Sequence, residues 1–294
     1  RFFARLLPWS GRTAEGAAAP AGAAGELGAE AVARRLGRSW RLSTPVPGRR
    51  ACTYLSTVAR LEARGRTYML KVFRRLSGLL YNLRVLQLRC AGDSGITYAG
   101  CARRLARERA CLRILAHART PAVRPAPAQP RGALLTEYAA GANGMDLLAS
   151  DAVSKEQKMD VVRAAAVSLR RTHAQVVHGD AQVKNLLLPR GGAPLWLDFD
   201  YVPNPRHATT LLKARDLVFL IYSAARHSRM DNGLVHAALE AYQDADVIDA
   251  VRHLRGVRHP LYHWFCHRMP LSLARSVSRT LDRAVRAPEV APCR

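Results

Sequence analysis

The stretch from His178 to Tyr201 constrains this chain more than any other part of it. Two short apolar runs, Leu186-Leu187-Leu188 and Leu195-Trp196-Leu197, flank a turn from Pro189 to Pro194 that contains Gly191-Gly192. Apolar runs bounded by Pro and Gly predict two antiparallel strands. Pairing across that turn sets Asn185 beside Asp198, and Asp180 lies five residues before Asn185 in the loop leading in. An amide oxygen next to a carboxylate is a donor set that suits a hard Mg²⁺ ion bridging phosphate oxygens. Asp180, left without a metal role, can accept the proton of an attacking hydroxyl.

Around this segment the texture of the chain changes twice. Residues 14–29 are Ala/Gly/Pro-rich and read as a linker or tail. From 51 to 73 the runs ACTYLSTVARLEA and RTYMLKVF are β-prone and meet at Arg64-Gly65-Arg66, a hairpin signal. Residues 101–118 have helical periodicity: Leu105, Glu108, Leu112 and Leu115 fall on one stripe. Glu108 is therefore a single acid on the apolar face of an arginine-covered helix, and an inward carboxylate requires a cationic partner. Prolines at 121, 125, 127 and 130 break the chain before ALLTEYAAG (133–141), a buried strand running into a glycine turn. Ser154 with Gln157 has the capping-box spacing for a helix to about His173, and 211–227 is a strongly apolar helix. Strands precede helices, which predicts an α+β, two-lobed layout. The expected divisions are an extension over 1–48, a small β lobe over 49–138 with an inserted segment at 76–100, and a helical lobe over 139–294.

Composition narrows the partners. The chain has 294 residues, 46 basic and 22 acidic, for a net charge of +24. Only five of the bases are lysine: 71, 155, 158, 184 and 213. Residues 1–135 carry a net +19 and residues 136–294 a net +5, which favours an anionic partner for the first half. Charged residues make up 23% and the apolar content is high, which excludes wholesale disorder. Apolar runs such as 217–225 stop well short of the ~20 residues a membrane span needs. The six cysteines, at 52, 90, 101, 111, 266 and 293, form no C-x-x-C pair and read as free thiols in a reducing compartment. The opening RFFARLLPWSGR is basic and aromatic, without a signal-peptide pattern, and an interfacial membrane contact is one reading of it. The expected location is cytoplasmic, with peripheral contact at an anionic inner membrane face.

His178-Gly179-Asp180 with Asn185, followed by Asp198-Phe199-Asp200, resembles the catalytic and metal loops of the protein-kinase-like superfamily. The forms H-G-D and D-F-D are similar to its small-molecule and bacterial branches: lipopolysaccharide core kinases, aminoglycoside phosphotransferases and atypical RIO-type kinases. The resemblance covers roughly residues 50–245. It implies a bilobal kinase-like fold, ATP and Mg²⁺ as cofactors, Asp180 as the catalytic base, and Asn185 with Asp198 as metal ligands. It also implies that Lys71 in YMLKVF holds phosphates with Glu108 as its helix partner, and that Glu137-Tyr138-Ala139 is the hinge whose backbone holds adenine. Asp216 in ARDLVFL matches the aspartate that braces the catalytic loop, and His178 takes a packing role. Because this chain almost always writes arginine, a lysine inside an apolar strand reads as specifically required.

The sequence also departs from the pattern. No G-x-G-x-x-G precedes Lys71, so the phosphate lid falls to Ser56, Thr57 and backbone amides. Gly179 replaces the arginine of regulated protein kinases, and no A-P-E segment follows Asp198, which argues against activation-loop control. Gln182 stands where protein kinases carry a lysine, and Lys184 is the substitute. Lys71 and Glu108 are 37 residues apart, which makes 76–100 an insertion whose LLYNLRVLQLR is amphipathic and basic: a substrate or membrane surface, or a plain packing helix. A protein at +24 repels polycationic aminoglycosides. The expected acceptor is anionic, a phosphorylated lipopolysaccharide core sugar. The alternatives are a RIO-type protein kinase or ATPase acting on a protein–RNA assembly, and a nucleotide-binding pseudokinase or nucleic-acid adaptor.

Overall fold

A computed structural model describes residues 41–43, 56–74, 76–127, 129–230 and 232–286. The extension expected over 1–48, apart from its short strand, and the segment before Ser56 lie outside the described residues. The first half builds a four-stranded antiparallel sheet in the order β1 (Arg41–Ser43), β2 (Ser56–Ala63), β3 (Arg66–Phe73) and β4 (Ala133–Glu137). The β2–β3 turn places both Arg64 and Gly65 at positive φ, the conformation whose twist matches the flanking strands. Register sets Lys71 opposite Val58 on one side and Leu134 on the other.

Between β3 and β4 run α1 (Ser77–Cys90) and α2 (Cys101–His117). The remainder is mainly helical: α3 (Gly144–Ala149), α4 (Lys155–His173), α5 (Thr209–Ser228), α6 (Asn232–Tyr242), α7 (Ala245–Ala250), α8 (Arg255–Arg258), α9 (Pro260–His267) and α10 (Leu271–Arg286). A second antiparallel sheet, β5 (Ala142–Asn143), β6 (Leu186–Leu188) and β7 (Leu195–Trp196), sits among them. The architecture is α+β with small antiparallel sheets and a helical majority. The hairpin around Pro189–Pro194 forms as the sequence predicts, with Leu186 opposite Trp196. The helix over 155–173 starts on the expected capping box, with Ser154 Oγ accepting from Gln157 N–H at 3.2 Å and Gln157 Oε1 accepting from Ser154 N–H at 2.9 Å.

Helix α5 is the axis of the main core: Leu217, Val218, Leu220 and Ile221 are fully buried, against Leu169 of α4, Val235 of α6 and Val277 of α10. A smaller apolar cluster of Leu61, Leu70, Ala133 and Leu135 belongs to the first sheet. The segment 76–100, although inserted between strands of that sheet, packs chiefly on the helical half. Its Tyr81, Val85, Leu88 and Ile96 join the main core. Tyr81 Oη donates to the Thr97 carbonyl at 3.1 Å and accepts from Val202 N–H at 3.0 Å, and Gly92 packs directly on Gly256. The segment thereby wedges against the loop that follows Asp198. Four cysteines, 90, 101, 111 and 266, are free thiols among the described residues, and no described helix is long and apolar enough to cross a membrane.

Candidate active site

Lys71 projects from the middle of β3 and is buried. Its Nζ lies 2.8 Å from Glu108 Oε2, 2.7 Å from Asp198 Oδ1 and 3.4 Å from Asp200 Oδ2. The inward acid of α2 thus meets the strand lysine, which supplies the cationic partner that an inward carboxylate requires. Arg104, one turn before Glu108 and fully buried, forms a close ion pair with Asp200. Its guanidinium rests on the rings of Phe73 (4.7 Å) and Tyr81 (4.5 Å), which supply cation–π contact where water is excluded. Asp200, the third residue of Asp198-Phe199-Asp200, is thus the partner of a buried arginine.

These groups comprise three carboxylates against two cations. Burial raises the Glu108 carboxyl to about 7, with Asp200 and Asp198 adding to the push and Lys71 opposing it. Burial would lower Lys71, but the three carboxylates outweigh it and hold the ammonium well above its ordinary value. Asp198 is held below its ordinary value: burial alone would raise it, and Lys71 reverses the sign.

The loop bearing Asp180 is fixed from beneath by α5. Buried Asp216 accepts from the backbone N–H groups of His178 (2.9 Å) and Gly179 (2.9 Å) and from His173 Nε2 (3.2 Å). Gly179 has φ +93°, and a Cβ there would stand 2.9 Å from the Tyr201 carbonyl, so no side chain fits in place of this glycine. His178 is buried, pairs through Nε2 with the Leu197 carbonyl at 2.9 Å and packs on Phe199. It ties the Asp180 loop to the Asp198 loop, the packing role expected of it. His173 pairs with Tyr242 as well as Asp216 and is a core residue.

Asp180 is buried, and each of its carboxylate oxygens has donors: Gln182 Nε2 to Oδ1 at 2.5 Å, Asn185 Nδ2 to Oδ2 at 3.2 Å, and Lys184 Nζ 3.2 Å from Oδ2. Lys184, whose side chain is partly exposed, sits beside the carboxylate. Asn185 also donates to the Asp180 carbonyl at 2.9 Å, so its amide nitrogen is committed and its Oδ1 is available. The Asn185 carbonyl accepts from Leu197 N–H at 2.8 Å, which registers it one residue before Asp198. Asp198 itself is in the left-handed region (φ +64°), a conformation Asp tolerates better than most residues. Its side chain is 45% exposed and open to a ligand. Among the described residues no three His, Cys, Asp or Glu side chains converge as a self-sufficient metal site. One carboxylate and one amide oxygen nevertheless fit Mg²⁺, which binds through one or two protein oxygens with phosphate and water completing its shell.

The remaining expected residues lie along the same sheet. Glu137 ends β4, three residues from Leu134, the residue opposite Lys71, and so roughly 10 Å along the strand. Its N–H donates to Arg124 at 2.8 Å, and Tyr138 N–H to Thr67 at 3.0 Å, before the half-exposed Ala139. Ser56 and Thr57 are buried at the start of β2, and Thr57 Oγ1 faces Arg74 Nε at 3.5 Å. The stretch that would complete a lid, 44–55, lies outside the described residues.

Three arginines matter that the sequence reading passed over. Arg104 holds Asp200. Arg107 donates to the Tyr201 and Val177 carbonyls, both at 2.6 Å, joining the two loops to α2. Arg215 donates to the Gly179 carbonyl at 2.7 Å while forming a bidentate pair with buried Asp93. The available signal was position: Arg104 precedes Glu108 by four, on the same helix face. No family model matches the chain, and comparison with curated proteins returned no match.

Proposed function

We propose that the protein is an ATP-dependent phosphotransferase that moves the γ-phosphate to a hydroxyl of an anionic acceptor, a phosphorylated lipopolysaccharide core sugar. The observation that carries this reading is the convergence on buried Lys71 of Glu108 and Asp198, from elements 37 and 127 residues away, next to a separately braced Asp180. A kinase-like bilobal fold accounts for the order of the elements and for the register between Lys71 and Glu137. Lys71, steered by Glu108, would hold phosphate oxygens, and the backbone at Glu137 and Ala139 would hold adenine. Asp198 Oδ and Asn185 Oδ1 would hold Mg²⁺, which supplies neutralisation of phosphate charge. Asp180 accepts the proton of the acceptor hydroxyl at its carboxylate, oriented by Gln182 and Asn185, while Lys184 offers a cation to the charge that is transferred. The test is the metal ligand. Asp198→Ala is expected to abolish Mg²⁺-dependent nucleotide binding, measured by calorimetry, with the circular dichroism spectrum retained. Unchanged Mg–ATP affinity in that variant would remove the metal assignment.

Peripheral contact with an anionic bilayer belongs to the same proposal, and helix α1 supports it. Tyr81, Val85 and Leu88 face inward, while Leu79, Leu83 and Leu86 on the opposite face are 58%, 43% and 47% exposed. No acid occurs from Lys71 to Gly92. Leucines flanked by arginine with no acid nearby complement an anionic lipid surface. Arg84 is not a free surface charge: it donates to Gln87 and to the Cys266 carbonyl at 3.0 Å, tying α1 to α9. Arg89, exposed over Tyr98, is the better probe of charge. Combining Leu83→Asp, Leu86→Asp and Arg89→Glu is expected to reduce sedimentation with phosphatidylglycerol vesicles, steeply salt-dependent in the parent, and to spare ATP affinity. Binding that is flat with salt and untouched by the variant rules the surface out.

A further inference from the structure

Helix α9 leaves its most hydrophobic side uncovered. Its inner side is fixed: the ring of buried His263 stacks on Tyr222 of α5 with centroids 3.4 Å apart, and buried Tyr262 donates to Asp93 at 2.9 Å. That anchoring sets the rotation of the helix and turns Leu261, Trp264 and Phe265 outward, where they are 50%, 53% and 48% exposed. The i, i+3, i+4 spacing puts the three on one face, and exposed Arg268 follows directly after the last turn. Single apolar residues are common on a surface, but a leucine, a tryptophan and a phenylalanine side by side mark a contact.

The start of the same helix borders a cavity. Pro260 forms one wall, and Ser272, Arg275, Ser278 and Arg279 of α10 form the other, around an open volume of about 430 Å³. Helix α10 is two-sided: Ala274, Val277 and Leu281 are buried, while Ser272, Arg275 and Arg279 are exposed. From Ala250 to Leu281 the chain has six arginines and no acid. The carboxylates that bracket this stretch, Asp249 and Asp282, are paired with Arg252 and Arg258, and Arg275 and Arg279 have no ion-pair partner among the described residues.

Area and charge together select the partner. Three half-exposed side chains offer on the order of 300 Å² of apolar surface, well short of the about 800 Å² a side that a stable protein interface buries. A bilayer boundary needs no such area. Aromatic rings that reach the headgroup level, with arginines beside them and no acid nearby, give a peripheral anchor on anionic lipid.

We propose that α9 and the neighbouring face of α10 form a binding site for an anionic phospholipid in a bilayer: Leu261, Trp264 and Phe265 enter the apolar boundary, and Arg275 and Arg279 hold the lipid phosphate in the cavity beside Pro260. Arginine forks match phosphate oxygens bidentately, and the Ser272 hydroxyl adds a donor. This surface is separate from the exposed leucines of α1, although Arg84 joins the two helices through the Cys266 carbonyl. It stands whether or not Asp180 serves phosphoryl transfer.

The experiment is co-sedimentation of the full chain with vesicles of phosphatidylglycerol and phosphatidylcholine in equal parts, against vesicles of phosphatidylcholine alone. Trp264→Ser with Phe265→Ser is expected to weaken binding to the anionic vesicles about tenfold or more. Arg275→Gln with Arg279→Gln is expected to weaken it by about the same factor, while sparing any binding to the neutral vesicles. All four positions are exposed, so the circular dichroism spectrum should be retained, and the arginine pair gives a second reading should the aromatic pair alter the fold. The α1 variant, Leu83→Asp with Leu86→Asp and Arg89→Glu, is the comparison. Loss of binding in that variant alone, or no binding to anionic vesicles by the parent, overturns the site. Self-association that Trp264→Ser removes also overturns it, because a second copy is then the occupant. Glycerol phosphate bound at Arg275 and Arg279 without vesicle binding does the same, because the phosphate source is then soluble. Nucleotide affinity is not read in this assay, so the lipid site and the phosphotransferase stand or fall separately.

Discussion

Replacing Asp180 by asparagine is expected to lower phosphoryl transfer by roughly 10²–10⁴-fold while nucleotide affinity is retained, the range for loss of a general base. The structure explains why the variant should separate chemistry from folding. The loop is held through its backbone, by Asp216 on the N–H groups of His178 and Gly179 and by Arg215 on the Gly179 carbonyl, not through the Asp180 side chain. An asparagine is isosteric, and its amide oxygen can still accept from Gln182 or Asn185, so the loop keeps its course. What disappears is a carboxylate able to take a proton. Single-turnover transfer to the authentic acceptor, compared with equilibrium nucleotide binding, makes the separation directly. Wild-type turnover in the variant would show that Asp180 is not the base, and a parallel loss of nucleotide affinity would show that the residue serves the nucleotide site instead.

The largest expected effect on stability is at Asp216. The residue is fully buried, and Asp216→Ala strands two backbone donors and the ring of His173 in a place water does not reach. Each stranded buried group costs about 1–3 kcal/mol, so the three together are expected to cost at least about 3 kcal/mol in chemical denaturation. Burial would raise the Asp216 carboxyl, but the hydrogen bond and charge of His173, then the charges of His178 and Arg215, hold it below its ordinary 3.8. The sign follows from that lowering. A carboxyl with a depressed native value contributes its full share of stability at neutral pH, and loses it only as pH falls below about 3.8 toward the lowered native value. Asp216→Ala should therefore flatten the acid limb of the stability profile as well as lowering its plateau. A loss under about 1 kcal/mol would mean that the loop is braced elsewhere, with Arg215 and His178 carrying it.

Much of the site was legible because its signals are local. The turn from Pro189 to Pro194, with Gly191-Gly192 inside it, closes two apolar runs into a hairpin, and closing it sets Asn185 next to Asp198. Helical periodicity turned Glu108 inward, where a carboxylate needs a cation, and the rarity of lysine in this chain singled out Lys71. The same composition hid the arginines. With bases so numerous, nothing distinguished Arg104, Arg107 and Arg215 from residues that merely cover a helix, although all three are committed to the site.

What the sequence determined by itself is thus the set of elements, the turns that join them and the polar residues each element must present. Which residue meets which across the chain was decided only by the tertiary structure. Arg104 and Asp200 are 96 residues apart, Asp93 and Arg215 are 122 apart, and Arg84 meets Cys266 across 182. Spacing encodes period and turn, but it carries no information about partners on separate elements. Those follow from how the elements pack, because a buried charge is tolerated only where packing delivers its counter-charge.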